Sequence, residues 1–494
     1  MKPSAMTLTA LALSAGIGLW GILDPRGLGT GAAAIVAAQF ESLGWFIMLT
    51  ASGMLLAAIY LAVSPFGSVR LGPEESRPDF STPSWIAMLF AAGMGVGLLF
   101  YGAAEPLTHF ATLSAHYPPS RAAGLALFVT YVNWGLHAWA IYGMVGLAIG
   151  FFGFRRGRPL LLSASVEDSF GTARWTRTLG WLFDLMAIVA IAVGLAGSLA
   201  MGVFQIQAGL ARLLGLAPSP QLTGAVFVAV CLGFAIPLRR ELGDGMARLS
   251  NIAMILSIGL LLYLLIMGPT SYLMNAMVTG FGRYLFNVLK AGFATAEFLE
   301  DDVVGWFKGW TLNYMIWWLA WSPFVGVFIA RISRGRTIRE FLFGVILAPT
   351  LFSVIWFGVF GGLGFYDSLR IEGALAAVTT ENLDATTFAL LERFPLSALT
   401  SGASIVAAFL FVVTSVVSAA FVLAMFATGG AENPPVRLRL TWGAVLAALG
   451  LAMVLVGDVT LVRSVIALSA IVFIFIAPIL VLCLLRALRR EARG

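Results

Sequence analysis

The sequence predicts an all-α, polytopic membrane protein with twelve transmembrane helices, and three observations carry that prediction. Hydrophobic residues make up 60% of the 494 positions and charged ones only 11%, too little charged surface for a soluble globule of this size. Apolar runs are long and recurrent; the stretch from Ala122 to Gly153 contains no Asp, Glu, Lys or Arg. Basic residues also alternate between successive loops: with the N-terminus set inside, 21 of the 30 Lys and Arg residues fall on the inner side. That asymmetry places both termini in the cytoplasm.

The apolar runs define the spans in order. Span 1, residues 5 to 23, ends in Asp24, Pro25 and Arg26 without a small-residue cleavage site, and reads as a retained span rather than a leader. Span 2 covers 43 to 64 and span 3 covers 84 to 104. Within "FAAGMGVGLLFYGAAEP", residues 90 to 106, Gly93, Gly95 and Gly97 alternate, which weakens a helix and permits close packing or local unwinding. Unwound backbone inside a membrane is tolerated where it lines a cavity, and its carbonyls suit a hard cation such as Na⁺. Span 4, residues 122 to 152, overshoots a bilayer of ~30 Å and must tilt or bend. Spans 5 to 7 follow at 179 to 211, 221 to 238 and 249 to 268.

The loop from 269 to 308 includes "YLMNAMVTGFGRYLFNVLK", an amphipathic surface helix. Span 8 covers 309 to 330, and spans 9 to 12 cover 341 to 365, 397 to 428, 440 to 457 and 462 to 485.

Several function classes are excluded. The three lysines, Lys2, Lys290 and Lys308, are followed by Pro, Ala and Gly, so no Walker A loop exists. Cys231 and Cys483 lie in apolar runs and indicate neither a disulfide framework nor a metal site. His109, His116 and His137 have no paired-ligand spacing, and His137 reads as a membrane histidine satisfied by a neighbouring carbonyl. The net charge of +6 sits in short loops, where topology explains it better than nucleic acid does. Secondary transport, a channel, an intramembrane enzyme or a membrane sensor remain; the missing catalytic residues weigh against the enzyme and the missing output domain against the sensor.

Aromatic residues point to a substrate. Trp134, Trp139 and Tyr142 of span 4 stand at i, i+5 and i+8, at about 0°, 140° and 80° around a helix, and so share one face. "WTLNYMIWWLAWSP", residues 310 to 323, places Trp318 and Trp321 at i and i+3 with Trp317 to one side, a second aromatic face. Interfacial belts occupy span ends, whereas these residues sit inside their spans. Packing alone is the plainer use of tryptophan, but two aromatic faces in a site without carboxylates suit a quaternary ammonium zwitterion. Its head makes no ordinary hydrogen bonds and is held by π faces at ~2 kcal/mol or more per desolvated contact.

Four stretches, "AAGMGVGLLFYGAAEPLTHF", "NWGLHAWAIY", "WWLAWSPFVGVFIARISRGRTIREF" and "FVVTS", in this order and spacing, resemble the betaine/carnitine/choline transporter family over nearly the whole chain. The resemblance implies leucine-transporter-like inverted repeats formed by spans 3–7 and 8–12, and so a chain divided into a peripheral pair of spans (1–78), a first five-helix repeat (79–268), the amphipathic surface helix and loop (269–305) and a second five-helix repeat with a short basic tail (306–494). A homotrimer and alternating access in a plasma (bacterial inner) membrane are implied with it. It implies a trimethylammonium cage of Trp134, Trp139, Tyr142 and Trp318, with Trp317 and Trp321 along the path; Met315 replaces the family's first tryptophan of this cluster. It also implies a sodium site from Ala91, Met94, Phe411, Thr414 and Ser415. The family's second sodium site aligns its threonines with Ile191 and Leu195, which offer no hydroxyl, although its aromatic Phe324 remains. The arginine that replaces sodium in independent members would stand at Met254. Gly97 matches carriers of zwitterions, where choline carriers have Asp, and Val417 stands unexplained at a family aspartate.

The expectation is therefore Na⁺-coupled symport of a betaine-like zwitterion, glycine betaine first, with Na⁺ and membrane lipid as partners and no nucleotide or organic cofactor. The alternative within transport is a Na⁺-independent exchanger or H⁺-linked carrier of carnitine, choline or dimethylsulfoniopropionate; an ammonium and a sulfonium head present the same soft cation to the rings. With only Lys2 before span 1 and the short "RALRREARG" tail, strong osmotic activation is not expected.

Overall fold

A computed structural model of the chain describes residues 4–93, 95–239 and 244–492. Among these residues there is no β-strand, and the sheet-like pairing is an isolated antiparallel bridge between Arg70 and Thr337. The chain opens with α1 (Ala5–Leu23) and α2 (Pro25–Val63). The Ser4 hydroxyl caps α1 by accepting from the Thr7 N–H at 3.1 Å. Asp24 then caps α2, accepting from the Gly27 N–H at 2.9 Å, and Pro25 follows at the first position, where a missing N–H leaves no bond unmade. The second span is longer than its apolar core at 43 to 64: once Pro25 sets the start, "GTGAAAIVAAQF" contains no proline and runs on into helix-favouring alanines, and the 39-residue helix reaches roughly 58 Å.

Span 3 is interrupted. α3 (Thr82–Gly93) stops, Gly95 is extended (φ −111°, ψ 179°), and α4 (Val96–Leu113) begins. Met94 lies outside the described residues, as do the side-chain surroundings of Ala91 and Gly93. Span 4 bends as its length requires, breaking at Gly135 (φ −103°, ψ −133°) between α5 (Pro119–Trp134) and α6 (Leu136–Gly150), with a π-helical turn at Phe151–Arg155. A Cβ at Gly135 would stand 2.2 Å from the Tyr284 Oη and 2.5 Å from the Tyr131 carbonyl, so the break fits only glycine.

The chain continues through α7 (Leu162–Phe170), α8 (Arg174–Leu214), α9 (Pro220–Ala235), α10 (Asp244–Met267) and α11 (Thr270–Gly292). α12 (Asp301–Phe307) runs through a second π turn, Lys308–Leu312, into α13 (Asn313–Arg331). Then come α14 (Ile338–Arg370), the short α15 (Leu375–Glu381) and α16 (Thr386–Leu391), α17 (Ser397–Ala427), α18 (Val436–Val456), α19 (Val459–Ala470) and α20 (Phe473–Glu491). Thr337 and Glu340 form a reciprocal capping box at the start of α14.

Among the described residues, ten helical stretches are long and apolar enough to cross a membrane, or eleven if α19 and α20, which meet at a 44° bend, count as one. Span 12 is thus broken rather than straight. The molecule is a multi-pass membrane protein, with α8, α6 and α13 inside the bundle and α1, α9 and α10 mostly exposed at its rim. Tight contact between α6 and α13 rests on glycine: a Cβ at Gly146 would lie 3.1 Å from the Gly326 carbonyl, and one at Gly326 3.1 Å from the Gly146 N.

The amphipathic helix lies where the sequence puts it, as α11. Its face of Leu273, Met277, Gly280, Tyr284 and Val288, at i, i+4, i+7, i+11 and i+15, is buried, and it packs on α5 and α14.

Candidate functional site

The break at Gly135 is the local event from which the site grows. Ending a helix leaves its last carbonyls and the next helix's first N–H groups without intrahelical partners. The Leu136 N–H is taken up by the Tyr284 hydroxyl of α11 at 2.7 Å, and the Asn133 carbonyl by the Trp318 Nε1–H of α13 at 2.7 Å. The surface helix therefore stabilises the bend, and the bend holds the central tryptophan.

The two aromatic faces read from the sequence do meet. Trp318 stands edge-to-face against Trp134 (centroids 5.0 Å, interplanar angle 69°) and against Tyr142 (5.8 Å, 80°), while Tyr142 is edge-to-face with Trp139 (5.5 Å, 80°). Rings at near right angles form walls rather than a stack, and their faces turn toward shared space. That space is a cavity of about 160 Å³ between the start of α4 and the middle of α6, α8, α13 and α17. Trp134, Trp139, Tyr142, Trp317, Trp318, Trp321, Gly95 and Gly97 all line it. A side chain at Gly97 would press on the Trp134 ring, whose nearest atom is 3.2 Å from the Cβ position.

From the sodium set, Phe411, Thr414 and Ser415 line the same cavity. The Thr414 hydroxyl donates back to its own helix, to the Leu410 carbonyl at 2.9 Å and the Phe411 carbonyl at 3.2 Å. Its proton is thus engaged, and the oxygen lone pairs stay available to a cation. Of the second-site positions, Leu195 and Phe324 reach the cavity, whereas Ile191 is fully buried elsewhere in α8. Val417 points into packing, while its neighbours Val416 and Ser418 line the cavity.

Among the described residues the cavity lining holds no carboxylate, as the sequence reading expects, but one stands behind it: Glu105, fully buried on α4, accepts hydrogen bonds from the Trp134 Nε1–H (2.7 Å), the Asn133 Nδ2–H (2.9 Å) and the Tyr314 hydroxyl. The rule that a lone ionisable residue in a span marks a site would have found it. His137 faces the Ser52 hydroxyl across 3.4 Å rather than a carbonyl, because α2 brings a serine to that turn.

Tyr314 and Trp310 also escaped the sequence reading. Tyr314 precedes Trp318 by four residues and stacks on both Trp317 (5.7 Å, 13°) and Trp318 (5.5 Å, 23°); the i, i+4 spacing was its signal. Trp310 carries the Arg463 guanidinium over its ring at 4.3 Å, and the Trp306 Nε1–H donates to His109 Nδ1 at 3.0 Å. The tryptophans crowded into span 8 therefore divide between the cavity and its support.

Comparison with known proteins gives a consistent result. The family model described as "BCCT, betaine/carnitine/choline family transporter" matches residues 5–493. The chain is 35% identical over 494 residues to the glycine betaine transporter OpuD of Bacillus subtilis, covering 99% of this chain and 95% of that protein. It is 37% identical over 455 residues to a glycine betaine transporter of Acinetobacter baylyi, covering 92% and 68%. It is 35% identical over 464 residues to a glycine betaine/proline/choline/ectoine transporter of Vibrio parahaemolyticus, covering 92% and 80%.

Proposed function

The chain belongs to the betaine/carnitine/choline transporter family, and from that premise we propose that it carries glycine betaine, or a near relative with the same head group, by Na⁺-coupled symport through alternating access. The observation that carries the reading is the right-angled cage of Trp134, Tyr142 and Trp318 opening onto a cavity that also contains Thr414 and Ser415. A trimethylammonium head exposes methyl groups with spread positive charge, which π faces attract and hydrogen-bond acceptors gain little from. Trp139, Trp317 and Trp321 extend the apolar lining, and Gly95 and Gly97 leave room where the chain crosses the cavity. With Gly97 bare, no carboxylate enters at that point, which suits a substrate bringing its own.

Na⁺ would be held by the Thr414 and Ser415 hydroxyls together with backbone oxygens of the interrupted span 3, a donor set of the hard kind that Na⁺ prefers. Counting α3 with α4 as one interrupted span, beside the ten single stretches and the bent α19–α20 pair, would give twelve spans. Spans 3–7 and 8–12 would then be the two inverted repeats, each opening on an irregular span: the interruption before α4 and the π turn before α13. A homotrimer in a plasma membrane, with both termini cytoplasmic, completes the proposal.

Ile191 and Leu195 favour a second reading, a single Na⁺ or Na⁺-independent exchange, since neither side chain can ligate a cation. Uptake of labelled glycine betaine into proteoliposomes tests both. Accumulation with an inward Na⁺ gradient that disappears when K⁺ replaces Na⁺ supports symport. Equal, non-concentrative flux in both salts refutes coupling and leaves exchange.

A further inference from the structure

Glu105 is the sole acidic residue of α4, is fully buried, and does not line the cavity. Its two carboxyl oxygens nevertheless receive four groups. Oε1 takes the Asn133 Nδ2–H at 2.9 Å and faces His109 Nε2 at 3.2 Å, while Oε2 takes the Trp134 Nε1–H at 2.7 Å and the Tyr314 O–H. An indole nitrogen can only donate. The same logic fixes His109: its Nδ1 accepts from the Trp306 indole at 3.0 Å, so that nitrogen is bare and the proton of the neutral ring resides on Nε2, aimed at Glu105. Four donors converging on two oxygens make the group an acceptor on every side, the arrangement of an ionised carboxylate. The buried Arg463 guanidinium lies over the Trp310 and Tyr314 rings, at 4.3 and 5.5 Å, and donates to the Gly309 carbonyl at 2.7 Å.

We propose that Glu105 is a specificity-determining positioning residue: a fixed negative charge, held behind the cage and never touching substrate, that raises the attraction of the cavity-lining Trp134 ring for a cation that cannot donate hydrogen bonds, and fixes Tyr314 as the stacked backing of Trp317 and Trp318. Two effects combine. Each hydrogen bond locks a ring in place, Trp134 against Trp318 at 5.0 Å and Tyr314 stacked on Trp318 at 5.5 Å. The charge at the N–H and O–H edges also pushes electron density toward the ring faces and adds its own attraction, weakly screened in a dry interior. Because the rings stand between it and the cavity, Glu105 cannot form the direct salt bridge that a primary ammonium or a metal ion would seek. The selectivity follows from that separation: the field reaches any cation, but the oxygens reach none.

The inference rests on reading the cavity as a quaternary ammonium site, and its test separates the two. Binding of glycine betaine and of its uncharged-head isostere, 3,3-dimethylbutanoate, is measured by tryptophan fluorescence on purified wild type, Glu105→Gln and Tyr314→Phe. Failure of the wild type to bind glycine betaine would overturn the site reading, and this inference with it. With wild-type binding in place, Glu105→Gln should weaken glycine betaine by about tenfold or more and leave the isostere unchanged or improved, because only the charged head senses the lost field. Equal weakening of both ligands would mean a purely structural role and overturn the inference. Tyr314→Phe keeps the carboxylate, so its ratio of affinities should stay within about threefold of wild type. Collapse of that ratio would overturn the inference even if Glu105→Gln failed to fold.

Discussion

Replacing Trp318 by Leu or by Phe separates the face of the ring from its edge. The indole contributes three things: a π face toward the cavity, edge contacts with Trp134 at 5.0 Å and Tyr142 at 5.8 Å, and an N–H bonded to the Asn133 carbonyl at 2.7 Å. Both substitutions strand that buried carbonyl, which costs about 1–3 kcal/mol of stability. Only Leu removes the π face, a loss of ~2 kcal/mol or more of binding, equivalent to roughly thirtyfold in Kd. Phe keeps a smaller and less electron-rich face and should weaken binding by about threefold to tenfold. Isothermal titration with glycine betaine gives the affinities, and thermal unfolding in detergent gives the stabilities. Similar Tm losses with clearly different affinities are expected. A folded Trp318→Leu protein that binds as tightly as wild type would refute the cage, and equal affinity loss in both variants would show that the hydrogen bond, not the ring face, was being read.

Three further outcomes follow from particular contacts. Thr414→Ala should raise the Na⁺ concentration for half-maximal uptake by about tenfold with little change in betaine affinity at saturating Na⁺, because it would remove one oxygen of the proposed Na⁺ site; unchanged Na⁺ dependence counts against that site. Tyr284→Phe deprives the Leu136 N–H of its acceptor, at 2.7 Å in the native protein, and should cost about 1–3 kcal/mol in chemical denaturation; an unaltered midpoint would mean another group satisfies the break. Asp384, in the turn between α15 and α16, is pushed up to about 6 by burial and by the neighbouring Asp458 carboxylate. A raised carboxyl favours folding below its unfolded value near 4, and that contribution is lost as pH climbs through 6. Asp384→Asn should therefore stabilise the protein by roughly 3 kcal/mol at pH 8 and by much less at pH 4, each pKa unit being about 1.4 kcal/mol; a pH-independent difference in Tm would refute the assignment.

Much of this architecture is legible in the residue order because a bilayer leaves few choices. Backbone polar groups have no water to bond within it, so apolar runs must be helices, and their lengths, caps and breakers can be read directly. Asp24–Pro25 marks a helix start, the run from Ala122 to Gly153 announces its own bend, and the period of Leu273, Met277, Gly280 and Tyr284 declares a buried face. The aromatic faces of spans 4 and 8 are equally local, since each comes from spacing along one helix.

What spacing along one helix cannot contain is the partner across the bundle. That Gly135 is where span 4 breaks, that Tyr284 takes up the freed N–H from a helix about 150 positions later in the chain, and that Gly146 and Gly326 let α6 and α13 close on one another depend on how helices meet. Glu105 is the clearest case. In the sequence it is one carboxylate in an apolar run; only packing brings Asn133, Trp134 and Tyr314 onto its oxygens and turns an isolated charge into the support of the cage. The sequence alone determined which segments are helices and which faces are aromatic, because those follow from bonds and periodicity within a segment. The tertiary structure decided which polar group satisfies which, because a buried donor or acceptor takes whatever partner the meeting of helices brings within reach.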